Sequence, residues 1–197
     1  VRAVHGNELR AGIEYVRRGR WEMPVYFSAG LFSVMPNTPW YGEAIANNGT
    51  DELRSIGFAC LRTTDAPPRG IANVTVRAES ALALTADTDC SVQVYRCLRP
   101  VAFVADPPTW QEYDPSESLA WQQPGGLGGS DATLLGALTL TADVPGSLSG
   151  AALTAALQAM VDGGEQNFLV RRNDTGAETI GITGQLTVGF DLDTPPN

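Results

Sequence analysis

Apolar and polar residues alternate along most of this chain with a period of two. Val74, Val76 and Ala78 share one side of a segment whose other side holds Thr75, Arg77 and Glu79. Leu186, Val188, Phe190 and Leu192 repeat the pattern near the end, opposite Gln185, Thr187 and Gly189. Such alternation marks a strand with one buried face. Clusters of Gly, Pro, Asn and Asp interrupt it about every ten residues, the rhythm of a sandwich and not of βαβ units. Strands are predicted over 22–27, 30–35, 55–62, 73–79, 91–98, 132–141, 167–172, 178–181 and 185–192.

Two segments depart from that rhythm. Leu153, Ala156, Leu157, Met160 and Val161 recur at helical spacing in the Ala-rich stretch 149–162. With Ser149 as N-cap and Gly163-Gly164 as the stop, an amphipathic helix is predicted across one end of the sandwich. The loop 106–130 has no period and holds Trp110, Tyr113, Trp121 and the run Pro124-Gly-Gly-Leu-Gly-Gly. A loop of that length in a compact domain is usually a lid or a functional segment. Its glycines lack the Lys-Ser/Thr of a phosphate loop and open no helix, so they read as a lid or as backbone packed close to a neighbour.

The length, 197 residues, suits one domain with an extension, and 43% apolar residues support a real core. The apolar runs are too short to span a bilayer, and no secretory leader is visible. Either a leader was removed before Val1 or none was used; Val1 also fits removal of an initiator Met. Net charge is −9 and uneven. Residues 1–27 hold Arg2, Arg10, Arg17, Arg18 and Arg20 against Glu8, Glu14 and Glu22, a balance of +2 that leaves −11 for the remainder. An acidic body argues against nucleic acid as a partner. The basic start reads either as an arm that docks on an acidic surface, such as another copy of the chain, or as a solvated extension. All thirteen basic residues are arginine, which removes lysine chemistry.

Cys60, Cys90 and Cys97 fit no metal spacing. They are expected as buried free thiols, with a Cys60–Cys90 disulfide as the alternative. The one histidine, His5, sits in a polar terminal stretch, a poor place for a preorganised base. The carboxylate pairs Asp87/Asp89, Asp114/Glu117 and Asp191/Asp193 read as solvated turn and rim groups. Asp87 and Asp89 bound a tight loop and could contribute to a structural calcium site; no other cofactor is implied.

Four blocks, in order, carry a family resemblance: Pro36-Asn-Thr-Pro-Trp-Tyr-Gly42; the strands 54–61 and 74–78 joined by Ala66-Pro-Pro-Arg-Gly-Ile71; Trp121-Gln-Gln-Pro-Gly-Gly126 before the strand 132–141; and the helix ending Met160-Val-Asp-Gly163 before Asn167-Phe-Leu-Val-Arg171. Together they resemble the DNRLRE-like modules of bacterial surface proteins, which are carbohydrate-binding-module-like jelly rolls. The match runs over about residues 28–192 and departs from the family at Ala59-Cys60, where an Asp is usual. It implies an all-β jelly-roll sandwich of two antiparallel sheets with one short helix, here preceded by a basic extension over 1–27.

The aromatics Trp40, Tyr41, Trp110, Tyr113 and Trp121 are the candidate binding residues. Rings on loops cap a sandwich core, anchor a protein partner or stack on a sugar. Arg10, Arg17, Arg18 and Arg20 are the candidate assembly residues of the arm. The function expected is non-enzymatic: a structural bacteriophage virion protein, a capsid decoration or minor head or tail component, homo-oligomeric and bound to other virion proteins. The alternative is a secreted carbohydrate-binding or adhesion module at a bacterial surface. Neither reading involves a membrane.

Overall fold

The computed structural model describes residues 18–59, 74–101 and 107–192. The chain folds as an all-β sandwich with one short helix. Its strands are β1 (Arg18–Phe32), β2 (Trp40–Tyr41), β3 (Ala44–Asn47), β4 (Glu52–Ala59), β5 (Val74–Val76), β6 (Ala81–Ala86), β7 (Cys90–Cys97), β8 (Glu112–Asp114), β9 (Leu119–Ala120), β10 (Ala132–Leu140), β11 (Gly146–Ser149), β12 (Asn167–Arg172) and β13 (Gly176–Leu192); α1 spans Ala151–Val161. His5, Arg10, Arg17, Cys60, the segment 66–71, Asn73 and Asp193 lie outside the described residues.

The antiparallel strands of the expected sandwich form one large sheet, whose main layers run in the order β10-β7-β12-β4-β1-β13-β6-β11, and a second, small sheet of β8 and β9. Strand length joins the main layers. The fifteen residues of β1 pair with β13 over Arg18–Val25 and with β4 over Val25–Phe32, so one strand serves both layers. The seventeen residues of β13 do the same, pairing β3, then β6 and β1. The sheet folds over along these strands. Inward residues of β10, β7, β12, β4 and β1 meet those of β13, β6 and β11 in one core that includes Phe27, Leu84, Val94, Phe168 and Val188. The leaf β10-β7-β12-β4-β1 is called the first leaf below, and β1-β13-β6-β11 the second.

The register of β1 against β4 shifts between Phe27 and Ala29, leaving Ser28 as a bulge. One extra residue swaps the faces of everything after it. Val25 and Phe27 lie in the sandwich core, whereas Leu31 lies in a second cluster on the opposite face with Ile56, Leu169, Cys97 and Trp121. The expected boundary between an arm and the domain at residue 27 falls inside β1: Arg18–Phe27 are strand, because Trp21, Met23, Val25 and Phe27 alternate inward with Arg20, Glu22 and Pro24 outward.

The helix α1 buries Leu153, Ala156, Leu157 and Met160 in the core, as its spacing predicts. Its N-cap is Gly150 and not Ser149, which closes β11. At its C-terminus Gly163, with φ +116°, and Gly164 donate to the carbonyls of Met160 and Ala159, the Schellman arrangement that glycine favours. Gln158 accepts from the Val76 amide at 2.7 Å and donates to the Val74 carbonyl at 2.9 Å, so the helix completes the edge of β5.

Candidate functional site

The loop 107–131 is the chemically richest part of the chain, and it lies on the outer face of the first leaf. In most sandwiches that face is polar and wet. Here β4 carries Arg54 and Ile56, β12 Leu169, β7 Tyr95 and Cys97, and β1 Leu31 on that side, and Trp121, Trp110, Tyr113 and Leu127 of the loop pack over them. The first leaf is thus buried on both faces, which explains why Phe168-Leu-Val170 of β12 reads as a continuous apolar run and why most of β4 is buried on both faces.

Trp121 is the centre of this cover. It is 5% exposed and its Nε1 donates to the Thr109 carbonyl at 2.9 Å, so the ring is dry and its one polar atom satisfied. Tyr113 tilts against it with centroids 5.6 Å apart, and the Arg99 guanidinium lies 5.1 Å from the Tyr113 ring centroid. Gly126, at φ +74°, lets the backbone run within van der Waals reach of Trp121 and Leu169. The glycine run is therefore backbone packed on a neighbour, one of its two sequence readings.

Two buried charges hold the cover down. Arg54, 6% exposed, points outward from the middle of β4. It pairs in a fork with Glu52 at 3.0 and 2.7 Å, lies 4.5 Å from the centroid of Trp110, and donates to the Gly125 carbonyl. Glu52 also lies in an ion pair with Arg171, whose Nε is 2.8 Å from Glu52 Oε1, so one carboxylate faces two guanidinium groups. At the other end Asp131 is fully buried. Its carboxylate accepts from the Gln122 and Gln123 amides, each at 3.0 Å, and from Arg99 Nε at 2.9 Å. Burial pushes the Asp131 pKa up, but those donors more than offset it and hold the group below the ordinary carboxylate range.

The sequence candidates separate here. Trp110, Tyr113 and Trp121 come together, turned into the sheet. Trp40 and Tyr41 form β2 on the edge of β1, apart from them. Trp40 covers Gly30 and meets Phe32 edge-on at 5.7 Å, while Tyr41 is 63% exposed. Arg20 is exposed and paired to Glu22 at 2.8 Å; Arg18 contributes backbone to β1. Arg54, Glu52, Arg99, Asp131 and Thr109 carry the cover and were not singled out in the sequence. A trace of Arg54 is present there, since a charged residue inside Leu53-Arg-Ser-Ile-Gly-Phe58 needs a partner if the strand is buried.

The remaining candidates are engaged locally. Asp87 accepts from the Gly181 amide at 3.0 Å and Asp89 from the Ala142 amide at 2.8 Å. Asp114 caps its own turn through Ser116 and Glu117, and Asp191 pairs with Arg77. Among the described residues no group of three or more His, Cys, Asp or Glu side chains could hold a metal ion. Cys90 and Cys97 are free and buried, so Cys90 is not in the disulfide weighed as the alternative; burial pushes the Cys97 thiol up to about 12. The described residues include no helix long and apolar enough to cross a membrane. No protein-family model matches the chain, and no curated protein matches it.

Proposed function

We propose that the chain is a non-enzymatic structural protein of a bacteriophage virion, a jelly-roll capsid decoration or minor head or tail component that works by protein–protein assembly. The observation that carries this reading is the direction of the aromatic rings. Trp110, Tyr113 and Trp121 are spent on fastening the loop to the sheet, which makes the first leaf a rigid, doubly covered plate and leaves none of those three rings as a platform. The exposed apolar side chains are scattered instead: Tyr26 at 49% on β1, Val34 in the turn that follows, Tyr41 on β2, Leu119 on β9, Leu134 on β10 and Val144 before β11. Scattered apolar groups on a doubly covered plate, in an acidic chain whose leading residues are basic in sequence, suit contacts between protein subunits.

The test is the mass of the protein in solution by light scattering, for the full chain, for a chain starting at residue 18, and for the full chain with Tyr26→Arg and Tyr41→Arg. An oligomer that falls to a monomer in either altered form supports assembly. A monomer in all three overturns it. The virion setting is tested separately by mass spectrometry of purified particles, where the chain is expected in symmetric multiples.

One observation favours a second reading, a secreted carbohydrate-binding or adhesion module. Tyr41 is the most exposed large apolar side chain of the described residues and sits beside Trp40 in β2, just after the Pro/Asn turn. A shift in tryptophan fluorescence on titrating a glycan, lost in Tyr41→Ala, would favour it over assembly.

A further inference from the structure

The tip of the hairpin between β3 and β4 holds Asn48-Gly49, the one Asn-Gly pair in the sequence. Both residues are exposed. The Asn48 Oδ1 accepts from the Thr50 amide at 3.0 Å, the Thr50 hydroxyl at 3.0 Å and the Asp51 amide at 2.7 Å. These donors lie two and three residues onward. The side chain must therefore fold forward over the Asn48–Gly49 peptide, the direction in which an imide ring closes between Asn48 Cγ and the Gly49 nitrogen.

The oxygen and the departing nitrogen of that closure each have a neighbour suited to it. Three donors converge on the oxygen that gains negative charge as the nitrogen adds, the arrangement that stabilises a developing oxyanion. The departing nitrogen, Asn48 Nδ2, is held by Asp51 Oδ2 at 3.0 Å. The attacking amide of Gly49 donates to Asn47 Oδ1 at 3.0 Å, which orients its N–H. Gly49 sits at φ +95°, and a Cβ there would meet nothing within 4 Å, so the tip is open to solvent and base takes the amide proton once the N–H leaves Asn47 Oδ1.

We propose that Asn48 is a self-modification site. The Gly49 amide loses its proton to hydroxide and forms a bond to Asn48 Cγ; the Cγ–Nδ2 bond breaks and ammonia leaves with a proton from water. The cyclic imide then takes up one water and opens to aspartate or isoaspartate. Either product places a carboxylate where an amide now donates to Asp51, so the turn exchanges a hydrogen bond for a repulsion. Isoaspartate also inserts a backbone carbon into the loop joining β3 to β4. Because β3 pairs with both β4 and β13, the change reaches a joint between the two leaves. The tip acts as a timer that adds negative charge to the surface and loosens that joint.

The test is peptide mass mapping with isoaspartate quantification on the full chain held at mildly alkaline pH, beside the same chain in urea. Modification at Asn48 is expected about threefold or more faster in the folded chain, as preorganisation predicts. Thr50→Val, which removes the hydroxyl donor and keeps both backbone donors, is expected to slow the folded rate about twofold or more. A folded rate at or below the urea rate overturns the proposal, since the hydrogen bonds would then be holding the side chain away from the amide. So does a folded rate indifferent to Thr50→Val. If that variant fails to fold, the folded-against-urea comparison on the unaltered chain decides alone.

Discussion

The two leaves of the sandwich share a core and differ on their outer faces. The first leaf is roofed by the loop 107–131, and its outward residues Leu31, Ile56, Cys97 and Leu169 are as buried as the inward ones. Among the described residues, no loop covers the second leaf. Its outward rows, set by the register of β1, β13, β6 and β11, read Glu22–Thr187–Ala81–Ser149, Pro24–Gln185–Ala83–Ser147 and Thr183–Thr85. Half of those residues are hydroxylated and only Glu22 is charged, and they border an open groove of about 370 Å³. The same sheet therefore carries apolar side chains outward wherever a loop covers it, and small polar ones wherever water does. What differs is the chain that returns over each leaf, and the cover needs two buried charges to hold it while the second leaf needs none.

The largest expected effect lies under the roof. Trp121→Ala removes the ring at the centre of the cover, empties the space above Leu169 and leaves the Thr109 carbonyl unpaired. A loss of about 3–5 kcal/mol is expected in urea unfolding. A loss under about 1 kcal/mol would mean that the roof opens without the leaf noticing. Arg54→Met comes next, at about 3 kcal/mol. Glu52 keeps Arg171, so the damage is confined to the Gly125 carbonyl and the face of Trp110. Hydrogen exchange should rise first in 107–131 and not in the second leaf.

Asp131→Asn is expected to cost about 1.5–3 kcal/mol at neutral pH, because it weakens a charge-assisted three-donor clamp. The sign with pH follows from a depressed folded pKa. The contribution of Asp131 is complete above its ordinary value of 3.8 and disappears as pH falls through the lower folded value. Acid should therefore release the cover, and Asp131→Asn should flatten that part of the curve; an unchanged acid limb would point to other carboxylates, Asp174 beside Arg172 among them. The smallest effect belongs to the second leaf. Gln185→Ser and Thr183→Ser should each shift stability by no more than about 0.5 kcal/mol. A larger loss there would show that this face is covered in the protein's working state.

Local pattern carried much of the fold. The strands β7, β10 and β12, the second half of β13, the helix face of α1 and its glycine stop were all legible, because period and turn chemistry belong to a few consecutive residues. Three kinds of feature were not. Ala81-Leu-Ala-Leu-Thr-Ala86 is a strand, yet its composition suits a helix equally, and only pairing with β13 and β11 settles it. The merger of 22–27 with 30–35 into one strand depends on the Ser28 bulge. In the sequence Val25, Phe27, Ala29 and Leu31 look like one face, and the extra residue puts them on two. The third is the direction of the aromatics: Trp121 in a Gly/Pro loop reads the same whether it faces water or a sheet, and so does Tyr41.

Period and turn chemistry alone specify an all-β chain of short alternating strands with one helix and an aromatic loop. Only the tertiary structure decided that the two layers are one folded sheet, that the loop is a roof and not a platform, and that Arg54 and Asp131 fasten it. The physical reason is range. Alternation and capping are decided by neighbours in sequence, whereas a side chain's choice between burial and exposure is decided by whichever distant segment arrives to cover it.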